Sequence, residues 1–175
     1  MNNLLFLDID GVVNTVMIKD EDTKTDSCIK KDGYYFDLCH PEDNRVSNRE
    51  AVLWVSKLCE DYKLDIVITS TWLLGSNYGD IAFALYSSGL SKNIKVIDGV
   101  SNNLQHSRGW QIEAWFNKNS INPKNINFII LDDDTDMLGF HTDFTDHLVK
   151  TDTYIGFSYR DYIKASELLD QQIGD

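Results

Sequence analysis

The sequence is short of the features that would take it out of the ordinary globular class. Only 2 prolines and 10 glycines occur in 175 residues, which excludes a low-complexity or disordered chain. Cysteine is scarce too. Cys28, Cys39 and Cys59 are odd in number and widely spaced, with no CxxC and no zinc pattern. They read as free thiols in a reducing compartment, so a cytoplasmic location is expected. Long apolar runs are missing. The opening is apolar only from Leu4 to Leu7 before Asp8 and Asp10 interrupt it. No secretory leader is expected, and no run reaches the length of a membrane span. Positive charge is in deficit: Lys and Arg number 16 against 28 Asp and Glu, a net charge of −12. That argues against broad, sequence-independent binding to nucleic acid, which needs a basic surface. It leaves room for a local basic pocket that takes one phosphate.

With 42% hydrophobic and 11% aromatic residues, the chain can build a real core, and its length suits one domain over 1–175. Apolar runs and amphipathic stretches alternate. Strands are predicted at 4–7, 66–69, 94–97, 127–131 and 147–150. Between them, 47–62 reads as a helix with Ser47 and Glu50 as a capping box, and Ala51, Trp54, Val55, Leu58 and Tyr62 recur at helical spacing. Residues 79–88 form a second helix, stopped by Gly89. Residues 108–117 form a third, with Ile112, Trp115 and Phe116 on one side. A last helix starts after Ser158, with Asp161 completing its cap. This order implies an α/β fold with a five-stranded parallel sheet covered by helices on both faces. Continuously apolar strands fit burial on both sides. One segment breaks the alternation: residues 14–46 are too long for an ordinary loop and read as a flap or small cap insertion. They carry the acidic stretch DEDTKTD and the aromatic run Tyr34, Tyr35, Phe36.

Ligands of such sheets bind beyond the carboxyl ends of the strands. The residues there are Asp8 after the first strand, Thr69 and Ser70 after the second, and Asp132 and Asp133 after the fourth. Burying two carboxylates as close as Asp8 and Asp10 is costly and needs a cation or a reaction that uses both. An i, i+2 spacing puts both on one side of an extended chain. The histidines His40, His106, His141 and His147 show no ligand spacing and are taken as structural.

The residues DIDGV (8–12), VITS (67–70), an arginine opening a helix in HSRGWQIEAWF (106–116) and ILDDDTD (130–136) follow one another in order. Together they resemble the four motifs of the haloacid dehalogenase-like (HAD) superfamily of phosphotransferases, over nearly the whole chain. Two groups within it look nearest. One is the group of HAD domains associated with nucleic-acid repair proteins. It shares the TSTW turn and an Arg before an I-x-x-W helix, and an Arg commonly follows its Trp where Leu73 stands here. The other is the 5′-nucleotidase and polynucleotide 3′-phosphatase type.

The resemblance implies a Rossmann-like, HAD-type sheet and a role for each residue. Asp8 is the nucleophile that forms an aspartyl-phosphate. Asp10 protonates the leaving oxygen and then activates water, which favours phosphomonoester hydrolysis over the superfamily's other reactions. Gly11 allows a left-handed backbone beside the substrate. Thr69 holds a phosphate oxygen through its hydroxyl and backbone amide, with Ser70 as a second contact or as its replacement. Arg108 neutralises charge on the transferring group, with Lys92 or Lys95 as alternatives. A hard cation, Mg²⁺, must lie between the attacking carboxylate and the phosphate. Its expected ligands are Asp8, the backbone carbonyl of Asp10, Asp133 and Asp132, the last directly, through water or by supporting Arg108; Asp136 is a weaker candidate. Read structurally, Asp132 to Asp136 would instead be a capping cluster. Trp72 and the Tyr34–Phe36 run could stack on a nucleobase, or simply pack.

The activity expected is therefore hydrolysis of a small phosphomonoester, a nucleotide among the candidates. One alternative is an end-processing phosphatase acting on RNA or DNA termini, which the net charge disfavours. The other is a non-catalytic binding protein on the same fold, whose signature would be a substituted Asp8. No membrane partner is expected, and the oligomeric state is left open.

Overall fold

The computed structural model describes residues 3–16, 30–31, 34–35, 45–101 and 106–174. Five parallel strands make the central sheet: β1 (Asn3–Leu7), β6 (Leu64–Ile68), β7 (Val96–Gly99), β8 (Phe128–Asp132) and β9 (Leu148–Lys150), in the spatial order β7-β6-β1-β8-β9. The strands are linked or followed by α1 (Arg49–Tyr62), α2 (Tyr78–Ser87), α3 (Arg108–Lys118) and α4 (Tyr159–Gly174). The expected α/β, Rossmann-like architecture is therefore present.

Side-chain alternation divides the core in two. Leu5, Leu7, Ile66, Ile68, Ile129 and Leu131 face α1, α2 and α4, which contribute Val52, Val55, Leu58, Leu85 and Leu169. Leu4, Phe6, Val67, Phe128 and Ile130 face α3, which contributes Ile112, Trp115 and Phe116. On that second side Phe6 meets Trp115, Phe116 and Phe128 edge-on at 5.2–5.8 Å, the arrangement that aromatic quadrupoles favour. Both faces of β1 are sealed, so its register against β6 (Leu7↔Ile68) and β8 (Leu7↔Leu131) is fixed. That register brings the strand ends level.

Most boundaries shift by a residue or two from expectation, and two of the shifts have a clear physical cause. Ser47 is not the cap of α1. It lies in β5 (Arg45–Ser47), paired antiparallel with β2 (Asn14–Val16), so the next residue makes the turn. Asn48 sits in an extended conformation and its side chain accepts from the Ala51 amide. The third strand begins two residues late because a Ser91–Ile94 turn takes up the start of its apolar run. At the start of α4 Ser158 donates to Asp161 as foreseen, and beyond the end of α2 Gly89 adopts φ +117°.

Of the 14–46 insertion, the β2–β5 pair forms the base, and β3 (Lys30–Lys31) pairs with β4 (Tyr34–Tyr35). The reading of the rest as a flap, together with Phe36, Cys28, Cys39 and His40, lies outside the described residues. Among the described residues no helix is long and apolar enough to cross a membrane.

The cap correction predicts unequal losses in urea unfolding. Asn48→Ala should cost about 1 kcal/mol, and Ser47→Ala, which removes only a part-buried hydroxyl bond to Ser88, less than that. A larger loss from Ser47→Ala would return the cap to Ser47.

Candidate active site

All five strands run parallel, so their carboxyl ends share one edge. Asp8 leaves β1 there, still on the ladder through its amide to the Leu131 carbonyl (3.0 Å), and is only 5% exposed. The chain then coils tightly. The amides of Val12, Val13 and Asn14 all point to the Ile9 carbonyl, and the Gly11 amide reaches the Asn14 carbonyl at 2.7 Å. Gly11 has φ +73°, and a Cβ there would lie 2.2 Å from Asp133 Oδ2. Glycine is thus needed twice, for the backbone and for the acidic neighbour. Strand pleating does not place Asp10, because β1 has already ended. Its carboxylate is held by two side chains instead: Asn14 Nδ2 donates to Oδ1 (3.0 Å) and Trp72 Nε1 to Oδ2 (3.1 Å).

From β6 come Thr69 and Ser70, both fully buried. Among the described residues the Thr69 hydroxyl has no hydrogen-bond partner, whereas its backbone amide is taken up by the Leu7 carbonyl at 2.9 Å. The expectation that the amide also serves the ligand is therefore corrected: the sheet ladder uses it. Ser70 is occupied, bonding the Asp8 carboxylate and accepting from the Trp72 amide.

Arg108 opens α3 behind its cap Ser107, whose hydroxyl accepts from the Trp110 amide (3.1 Å). Its guanidinium spans the site. Nε donates to Asp132 Oδ2 at 3.0 Å, Nη2 lies 3.5 Å from Asp8 Oδ1, and Nη1 donates to Gln111 Oε1 at 3.3 Å. Lys92 and Lys95 are exposed and stand where the chain enters β7, at the opposite edge.

Asp132 is 1% exposed, and its Oδ1 accepts from the Asp134 amide, so the capping turn foreseen for this segment coexists with the Arg108 pair. Asp133 accepts from the Thr153 hydroxyl at 2.5 Å. Asp136 contributes a backbone carbonyl to the Gly109 amide, and its carboxylate is exposed.

Among the described residues, Asp8, Asp132 and Asp133 bring carboxylate oxygens within 4.8 Å of one another. Three carboxylates face one guanidinium. Burial, then the Asp132 charge, push the Asp8 carboxyl up to about 8, against the pull of Arg108, the Ile9 amide and Ser70. Burial raises Asp132 as well, opposed chiefly by Arg108. An all-oxygen donor set with surplus negative charge fits a hard divalent cation such as Mg²⁺.

Several residues escaped the sequence reading. Thr151 donates to the Gly11 carbonyl (2.8 Å) and Thr153 to Asp133, both from beyond a strand only three residues long. Gly109 admits the Met137 carbonyl to within 2.0 Å of where a Cβ would stand. The SRGW string held that signal, since a glycine at a helix start implies close backbone approach. His106 stacks on Trp110 at 3.8 Å and His147 on Phe128 at 3.9 Å, in keeping with structural roles.

A family model described as the HAD domain in Swiss Army Knife RNA repair proteins matches residues 4–162. The chain belongs to this family. With that membership comes a phosphatase-type function for the domain. No curated protein and no solved structure gives a significant match.

Two outcomes follow from the crowding of the site. Gly11→Ala should lose about 1–2 kcal/mol from the left-handed backbone alone, and should weaken stabilisation by Mg²⁺ through displacement of Asp133, both read by thermal unfolding. For Asp8 the value in the folded protein lies above the ordinary 3.8. Its protonated form therefore favours the fold, and that contribution is lost as pH rises through about 8. At pH 9 in EDTA, Asp8→Asn should be more stable than wild type by on the order of 1 kcal/mol, while Mg²⁺ stabilises only the wild type. Equal stability at pH 9 would contradict the buried excess of charge.

Proposed function

We propose that the domain is a Mg²⁺-dependent phosphomonoesterase in which Asp8 is the nucleophile and Asp10 the acid and base. The observation that carries this reading is the convergence on one sheet edge of Asp8, the orphaned Thr69 hydroxyl, Arg108 and the Asp132–Asp133 pair, from four separate segments.

In this mechanism the Thr69 hydroxyl donates to one non-bridging phosphate oxygen, the partner its burial leaves it without. Arg108, anchored on Asp132, directs its Nη2 edge to the charge that develops on the transferring group. Ser70 and Arg108 orient the Asp8 carboxylate. Asp8 bonds to phosphorus as the ester P–O bond breaks, and the leaving oxygen takes the proton of Asp10. A water then gives its proton to Asp10 while its oxygen bonds to phosphorus, and the Asp8–phosphorus bond breaks. Asp8, Asp132 and Asp133, with the Asp10 carbonyl, would hold Mg²⁺. Its chemistry there is to offset repulsion between carboxylate and phosphate and to polarise the phosphoryl group. The burial of Asp8 keeps solvent from competing with these contacts.

Simple phosphomonoesters, nucleotides among them, are the first substrate class. A second reading has specific support: the family's description names RNA repair proteins, which favours a terminal phosphate on RNA. The net charge of −12 weighs against this reading and restricts it to an end-reading enzyme that grips few backbone phosphates. We place the work in a reducing, cytoplasmic setting, with which the buried free thiol of Cys59 is in keeping.

The test is phosphate release from p-nitrophenyl phosphate, nucleotides and 3′- or 5′-phosphorylated oligonucleotides, with Mg²⁺ or EDTA. Release that needs Mg²⁺ and falls by at least about a thousandfold in Asp8→Asn is expected of a covalent nucleophile. Undiminished release by Asp8→Asn would sink the mechanism. The tightest substrate in the panel would choose between small esters and RNA ends.

A further inference from the structure

Trp72 and Asn14 each give a side-chain N–H to a different oxygen of one carboxylate, that of Asp10, at 3.1 and 3.0 Å. They come from different parts of the fold. Trp72 stands in the short turn Thr71–Leu74 that follows β6, and Ser70 caps that turn. Its indole is half-buried and packs against the core cluster that contains Ile68. Asn14 is fully buried at the start of β2. Its backbone amide is fixed to the Ile9 carbonyl and its carbonyl to the Gly11 amide, so its side chain projects from an immobile base.

Two independent donors on two oxygens define the plane of a carboxyl group. One donor alone would leave it free to turn about the Cβ–Cγ bond. Asn14 also bears a cost for its orientation. With Nδ2 turned to Asp10, its Oδ1 is buried without a partner among the described residues, which is unfavourable. An asparagine that served only the local turn would gain by satisfying that oxygen. The arrangement makes sense where the direction of the Asp10 carboxyl matters more than the satisfaction of Asn14.

We propose that Trp72 and Asn14 are positioning residues for Asp10, aiming its proton at the leaving oxygen. The inference rests on the phosphatase reading above and assigns Trp72 a task other than stacking on a nucleobase. It predicts a specific dependence on the leaving group. An alkyl phosphate expels an alkoxide, which needs the Asp10 proton as the P–O bond breaks. The p-nitrophenyl ester expels a stable phenolate, which hardly needs it. Misdirecting the proton must therefore hurt the first substrate more than the second.

The experiment compares wild type, Trp72→Phe, Asn14→Ala and Asp8→Asn on propyl phosphate and p-nitrophenyl phosphate in Mg²⁺, with kcat and KM taken separately. The alkyl-to-aryl ratio of kcat/KM, which reports the step that expels the leaving group and not the later hydrolysis of the aspartyl-phosphate common to both esters, should fall about tenfold in both positioning variants, the scale on which small misplacements of a reacting group act. KM for the two esters should change little. Equal losses of kcat/KM on both esters would make the two residues merely structural. A Trp72→Phe loss seen with nucleotides but not with simple esters would make Trp72 a stacking surface. Both results overturn the proposal. No hydrolysis of either ester by wild type, or full activity in Asp8→Asn, would instead overturn the phosphatase reading. One arm is independent of activity and of the folding of either variant: the indole ¹H–¹⁵N resonance of Trp72 should shift on Asp10→Asn. An unmoved resonance would end the proposal whatever the kinetics.

Discussion

The Arg108 guanidinium, set between Asp8 and Asp132, is the interaction on which the rest of the edge depends. Two nearly solvent-free carboxylates on neighbouring strands repel each other, and each has been stripped of water. Arg108 lies against both, at 3.5 Å and 3.0 Å. Its own position is secured by the chain around it. The Ser107 hydroxyl reaches the Leu138 carbonyl, the Gly109 amide donates to the Asp136 carbonyl, and the absent Gly109 side chain lets Met137 come close. One turn further along α3, the buried Glu113 carboxylate accepts the amides of Phe140 and His141. The segment after β8 is thus clamped to α3 at two places, and the acidic pair and its counter-charge move together. Such a pair adds little net stability once desolvation is subtracted. Its work is geometric, and the stability comes from the two apolar clusters beneath.

The charge balance at this edge supports the proposal that a cation takes part in the chemistry. One guanidinium cannot offset three carboxylates, and Arg108 is already divided between two of them. An incoming phosphate would add more negative charge to a site that lifts the Asp8 carboxyl to about 8. On the proposed function a phosphate would enter only with compensation, and the cluster of Asp8, Asp132 and Asp133 offers the donors for it. Thr153 and Gly11 keep Asp133 turned to that cluster, the first by a hydrogen bond and the second by leaving it space. The final strand therefore serves the site through its exit loop although it carries none of the charges.

Sequence exposed the parts of this edge that follow from periodicity and strand ends. Apolar runs flanked by polar residues marked β1, β6 and β8, and parallel connection put Asp8, Thr69 and Asp132 side by side. What stayed hidden is what depends on three-dimensional neighbours. Pairing with Asn14 in β2 drew Ser47 into a strand and passed the cap to Asn48, a contact across 33 residues with no local signal. Trp72 read as packing or as a stacking surface because a sequence does not show which way an indole N–H points. The Thr69 amide looked available until the register of β1 against β6 assigned it to Leu7. Thr151 and Thr153 follow a strand too short to advertise its end.

The distribution of unsatisfied groups shows where the fold yields stability to this edge. Among the described residues, the buried side-chain atoms without partners are Asn14 Oδ1, Thr69 Oγ1 and Ser166 Oγ. Two of the three belong to the edge, although apolar and polar burial are spread through the whole molecule. An orphaned buried polar group costs about 1–3 kcal/mol, a large fraction of the 5–15 kcal/mol that holds a typical domain together. The core can carry that load because β1 and β8 are apolar and sealed on both faces. A fold selected for stability alone would replace Thr69 with valine and give Asn14 Oδ1 a donor. Retaining both fits a hydroxyl kept ready for an oxygen that the protein itself does not provide, and a donor kept aimed at a carboxyl whose direction matters.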